Sequence, residues 1–135
     1  MKGIYGLLCL MLLSCATTKN TVGNNLSGTW ELVLFPNADK SFAELFGDRK
    51  PELQFTAADN NVSGTTGCNR LRTSYSIIGQ RFSFDKNIIT TKMGCPGYDE
   101  TAFLNALTQV NQYRLTKGQL QLLQDSTLVM AFAKK

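Results

Sequence analysis

The sequence contains no histidine. Without an imidazole, neither a Ser-His nor a Cys-His nucleophile can be assembled, so the common hydrolase chemistries are weakened sharply. Cysteine is scarce, with four in the whole chain, and only Cys68 and Cys95 lie beyond the first 15 residues. Two cysteines alone do not make a zinc site of four ligands, and no metal or cofactor is expected. Basic runs are short: none exceeds two residues, at Arg49-Lys50 and Lys134-Lys135. With no basic stripe interleaved with aromatics, a nucleic-acid footprint is not supported. The ten acidic residues are scattered among turns and helix starts, where solvation explains them better than paired acid–base work does. An enzyme is not expected. Long apolar stretches are lacking too. The one candidate, Ile4 to Leu13, falls short of the roughly 20 residues that cross a bilayer.

That stretch has another reading. Lys2 precedes the apolar run and the small residue Ser14 closes it before Cys15, which is the layout of a secretory signal peptide over residues 1–14. The tetrad Leu12-Leu13-Ser14-Cys15 resembles the bacterial lipobox, in which the chain is cut before a cysteine that carries diacylglycerol on sulfur. The alternative is a cysteine that happens to stand beside a conventional cleavage site. On the first reading Cys15 is the lipidation site, and residues 15–26 form the anchor and a tether too poor in apolar groups to order itself. Ala16 at the second mature position resembles lipoproteins sent on to the outer membrane. A periplasm-facing, lipid-anchored address is expected, with loss of Lys2 leaving 13 basic side chains against 10 acidic.

Residues 27–135 are long enough for one domain with one core. Short apolar runs of period two, punctuated by Gly, Asn and Asp, predict antiparallel strands. Thr29 to Phe35 is the first. Leu53 and Phe55 alternate before an Asp59-Asn60-Asn61 turn into Val62 to Thr66, and Leu71, Thr73, Tyr75 and Ile77 precede a turn into Arg81 to Phe84. Tyr113 and Leu115, Leu120 and Leu122, and Leu128 to Ala133 resume the pattern. Thr101 to Val110 departs from it, placing Phe103, Leu107 and Val110 at helical spacing behind Asp99-Glu100, which suit a helix start. Ser41 to Phe46 suggests a short helical turn. The fold class is α+β: an antiparallel, barrel-like curled sheet of short strands with one main helix, since closure hides sheet edges.

The most informative stretch is Val62-Ser63-Gly64-Thr65-Thr66-Gly67-Cys68-Asn69-Arg70, followed by Thr90-Thr91-Lys92-Met93-Gly94-Cys95-Pro96. With Gly28-Thr29-Trp30-Glu31-Leu32 and the segment from Glu100 to Leu107, it resembles the META domain family, which includes the heat-inducible HslJ proteins. The resemblance implies a compact α+β fold of antiparallel strands with a helix and membership of envelope lipoproteins linked to stress. No enzymatic activity defines the family. By fold-level analogy with secretin pilot lipoproteins, it also admits a lipid-binding or chaperone role.

Cys68 and Cys95 are the cysteines left once Cys15 is lipidated, and an exported chain meets an oxidising compartment, so a disulfide is the simplest reading. Two buried free thiols are the alternative. Asn69 and Arg70, with Arg72, could grip an anion through guanidinium forks. The preferred reading is structural: beside a Gly-rich turn, Asn69 and Arg70 pair backbone groups and nearby acidic side chains. Trp30, Phe55 and Tyr75 read as core. The expected function is a monomeric, non-catalytic envelope module binding a protein partner or a small apolar ligand, with a purely structural stress protein as the alternative. An apolar cavity lined by Tyr75, Phe82 and Phe84 would favour ligand binding, a packed interior with an ordinary polar surface would favour the purely structural protein, and a cleft gathering Arg70, Lys92 and a carboxylate would favour an enzyme.

Overall fold

A computed structural model describes Gly3 and residues 25–135. The expected leader, Cys15 and most of the expected tether lie outside the described residues. From Gly28 onward, nine strands and two helices follow one another among the described residues: β1 (Gly28–Leu34), α1 (Phe42–Phe46), β2 (Glu52–Thr56), β3 (Asn61–Thr65), β4 (Arg70–Ile78), β5 (Arg81–Phe84), β6 (Ile89–Thr90), α2 (Thr101–Gln109), β7 (Gln112–Thr116), β8 (Gln119–Gln124) and β9 (Thr127–Lys134). Every pairing is antiparallel.

Period-two patterning becomes burial because successive strand side chains point to opposite faces. Leu53 and Phe55 of β2 face inward between outward Glu52, Gln54 and Thr56. On β4, Leu71, Thr73 and Tyr75 turn in while Arg70 and Arg72 turn out. The sheet runs β3-β2-β1-β9-β8-β7-β5-β4, and a β3–β4 pairing joins its two ends. Closure is uneven. β8 and β9 share six register pairs, whereas β5 and β7 meet at Arg81 opposite Gln112, helped by Phe82 N–H donating to the Asn111 carbonyl at 3.1 Å. The result is a curled sheet rather than a regular barrel. β6, not anticipated from sequence, is two residues long, too short for an alternation signal, and flanks the first half of β4.

Both helices feed the same core. Ser41 and Glu44 exchange hydrogen bonds at the start of α1, satisfying its free N–H groups, and α1 buries Leu45 and Phe46. Helix α2 buries Phe103, Ala106 and Leu107, and Phe103 meets Phe46 edge-on at 6.4 Å. Between the sheet's inner faces, Phe55, Tyr75, Phe82 and Phe84 pack ring against ring at 4.9–6.4 Å. Leu26 extends the core beyond the expected boundary. Assigned to the tether by its polar neighbours, it is fully buried, and its carbonyl accepts the Trp30 indole N–H at 2.8 Å.

Candidate functional site

Cys68 and Cys95 are joined by a disulfide, with their Cα atoms 6.0 Å apart. Cys68 stands in the link between β3 and β4 and Cys95 between β6 and α2, so the bond ties the closing strands of the sheet to the approach of the main helix. Around it the polar side chains interlock. Asn69, only 2% exposed, accepts from the Thr91 hydroxyl at 2.9 Å and the Met93 N–H at 2.7 Å through Oδ1. Its Nδ2 donates to Glu100 Oε1 at 3.0 Å and to the Met93 carbonyl at 3.3 Å. Buried Thr66 donates its hydroxyl to Glu100 Oε2 at 2.5 Å and accepts from the Asn69 N–H at 2.9 Å. Each oxygen of the Glu100 carboxylate thus has a donor. Such an arrangement holds backbone segments in place.

Gly67 shows why the link needs its sequence. Its φ of 96° lies in the region L side chains rarely adopt, and a Cβ there would sit 2.3 Å from the Arg49 carbonyl oxygen and 2.4 Å from the Tyr98 hydroxyl. Tyr98 donates that hydroxyl to the Thr66 carbonyl. Burial, reinforced by the negative Glu100, pushes the Tyr98 phenol up to about 12. Asp99 takes the helix-start role, accepting from the Thr101 N–H at 2.9 Å, and hydrogen bonds from Thr101 lower its carboxyl below its usual value. Glu100, which sequence reasoning placed beside Asp99 as a solvated helix-start acid, makes no capping bond and points into the Thr66–Asn69 network instead.

On the outer face lies a cleft of about 650 Å³ whose lining includes Arg70 and Arg72. Strand register sets two rows of outward side chains across it. One runs Thr29, Gln54, Ser63, Arg72, Ile89, and the other Glu31, Glu52, Thr65, Arg70. The acids of the second row are occupied: Lys50 lies 3.6 Å from Glu31, and Lys135 pairs with both Glu31 and Glu52. Neither Arg70 nor Arg72 makes a salt bridge among the described residues. A second, groove-like opening of about 420 Å³ separates the loop after β1 from α2 and the β8–β9 turn, with Phe35, Leu45, Ala106 and Val129 among its lining.

The META domain family model matches residues 24–135. The chain belongs to the META domain family. The fold of this META domain is similar to that of a protein from Burkholderia xenovorans determined by NMR, at 23% identity, with 98% of this chain and 99% of that one covered and a TM-score of 0.63. A DUF4847-family protein from Bacteroides vulgatus is similar at 16% identity, covering 82% and 94% of the two chains with a TM-score of 0.61. No curated protein matches the chain.

The META domain therefore separates residues that sequence reasoning had grouped. Asn69 sits inside, bonded to the segment around Met93 and to Glu100, while Arg70 next to it faces solvent because strand alternation turns it outward. The expectation that Arg70 pairs with acidic side chains near the cysteines does not match its position. Lys92 does not line the arginine cleft, and the carboxylate that does, Glu52, is held by Lys135. Thr66, Thr91, Tyr98 and Glu100 were missed as partners of Asn69 and its link. Their contacts span 22 to 34 residues of sequence, which no local pattern reveals. Thr66, Thr91 and Glu100 do stand in the stretches that carry the family resemblance, which gave their presence but not their partners.

Proposed function

We propose that this protein is an exported lipoprotein, anchored through Cys15 to the periplasmic face of the outer membrane, whose META domain is a non-catalytic binding module acting through its surface. The observation that carries the second half is the filled interior. The four rings of Phe55, Tyr75, Phe82 and Phe84 occupy the concavity where an enclosed acyl chain or small apolar ligand would otherwise sit. That packing counts against the pilot-like, lipid-enclosing alternative, and the open cleft with Arg70 and Arg72, unpaired among the described residues, favours a surface-binding module over the purely structural protein that a packed interior alone would suit. The polar constellation nearest to a catalytic one, Thr66–Asn69–Glu100, spends its hydrogen bonds on backbone and on itself. The leader and lipobox features support the anchor, and the family resemblance supports a place among stress-related envelope lipoproteins.

The test separates anchor from domain. Cys15→Ala should abolish lipid attachment, read by intact mass, while the exported domain keeps its thermal melt. Globomycin should cause unprocessed precursor to accumulate. A mature chain from wild-type cells that carries no lipid on Cys15 overturns the anchor. A lipidated protein whose domain turns over a substrate in a broad hydrolase screen overturns the non-catalytic reading.

A further inference from the structure

We infer that the outer face bearing Arg70 and Arg72 docks on the anionic phospholipid surface to which the chain is tethered. The inference rests on the proposed Cys15 anchor for its geometry, and on the structure for its chemistry. Arg70 and Arg72 stand two residues apart on one strand, so their guanidinium groups emerge from the same face with Cα atoms about 7 Å apart. The acids of the two rows, Glu31 and Glu52, are already matched by Lys50 and Lys135, and neither arginine has an ion-pair partner among the described residues. Beside them stands one of the most exposed large apolar side chains among the described residues: Ile89 is paired with Arg72 in the sheet and is 69% exposed. Exposed apolar groups among unpaired cations match a bilayer interface, which takes the former into the headgroup boundary and the latter against phosphates.

The tether sets the reach of the domain and leaves its orientation to surface charge. Thr29, the second residue of β1, lies in the same cross-strand row as Arg72 and three strand spacings from it, about 14 Å. Asn25, where the tether meets the domain, lines an opening with Gln80, Gln112, Tyr113 and Ser126 rather than the arginine cleft. Ten residues, 16–25, separate Cys15 from buried Leu26 and can span at most about 35 Å. A domain held that close can turn this face to the membrane, and the unpaired charge of Arg70 and Arg72 supplies the bias toward doing so.

The experiment uses the chain from residue 16 onward, made without leader or lipid. Its described part holds the whole core, so it keeps its fold, and membrane binding is read independently of the anchor. Vesicles of phosphatidylcholine, alone or with about a third phosphatidylglycerol, are titrated at low and raised salt. The chain should bind the anionic vesicles only and lose them as salt rises. Arg70→Gln with Arg72→Gln should weaken binding about twenty- to thirtyfold, on the usual contribution of a basic residue near an anionic surface, with an unchanged melt. Arg70→Lys with Arg72→Lys should stay within about threefold of wild type, because a surface of phosphates reads charge rather than fork geometry. Ile89→Ser should weaken binding less than loss of the arginines. No binding by the wild type, or equal binding by the glutamine pair, overturns the inference even where Cys15 proves lipidated. A lysine pair as weak as the glutamine pair, or displacement by free glycerol phosphate beyond the effect of matched chloride, overturns the bilayer as occupant and assigns the cleft to a soluble phosphate ester. Binding that meets these expectations in a protein without lipid on Cys15 upholds the surface and removes only the anchor.

Discussion

Replacing both disulfide cysteines, Cys68→Ala with Cys95→Ala, isolates what the cross-link contributes without leaving a free thiol. The bond closes a loop of 27 residues, for which the chain-entropy relation gives about 3.5 kcal/mol at room temperature. Little native strain or repacking should offset that figure. Asn69 holds the Met93 backbone at both its N–H and its carbonyl, and keeps Glu100 in place, so the two ends of the loop remain together without the sulfur bond. The loss therefore arises mainly in the unfolded chain, which regains the freedom of the β4–β5–β6 segment. For a domain of about 110 residues the unfolding entropy is near 0.23 kcal/mol per degree, which converts the loss to a fall in Tm of about 15 °C. Circular dichroism melts of the wild type, the wild type in reductant and the double variant measure it, and alkylation followed by intact mass confirms the oxidised state beforehand. The reduced wild type should melt near the double variant. A double variant that melts within about 3 °C of the oxidised protein would refute the entropic account. Two alkylated cysteines in an unreduced, unfolded sample would refute the bond itself.

Tyr75→Phe should stabilise the domain. The Tyr75 hydroxyl is buried with no hydrogen-bond partner among the described residues, and removing it relieves a desolvation cost of about 1 kcal/mol, a gain of roughly 4 °C in Tm. A loss of stability would reveal a partner for that hydroxyl. Stability should also fall as pH rises from about 10 to about 12, because an unfolded Tyr98 phenol ionises near its ordinary value while the folded one is held up to about 12. Denaturant melts between pH 9 and 11 should show this slope in the wild type and a shallower one in Tyr98→Phe. Parallel slopes would remove Tyr98 as its source.

The sequence by itself determined the element types and the faces. Strand alternation at Leu53 and Phe55, or at Leu71, Thr73 and Tyr75, follows from side-chain hydrophobicity and the pleat, both local properties. The stripe of Phe103 and Leu107 fixed the main helix in the same way, and the spaced glycines and paired cysteines carried the family. Tertiary structure alone decided which strands close the sheet, that β5 and β7 meet over so short a seam, and that two-residue β6 exists. These depend on the relative reach of distant segments, which no window of sequence encodes. It also decided the fate of neighbours that look alike on paper. Asn69 and Arg70 are adjacent polar residues, yet one is locked inside against Glu100 and the other lies in an open cleft with Arg72. The reason is physical: alternation tells a residue which side it faces, but only the assembled fold determines what is on that side.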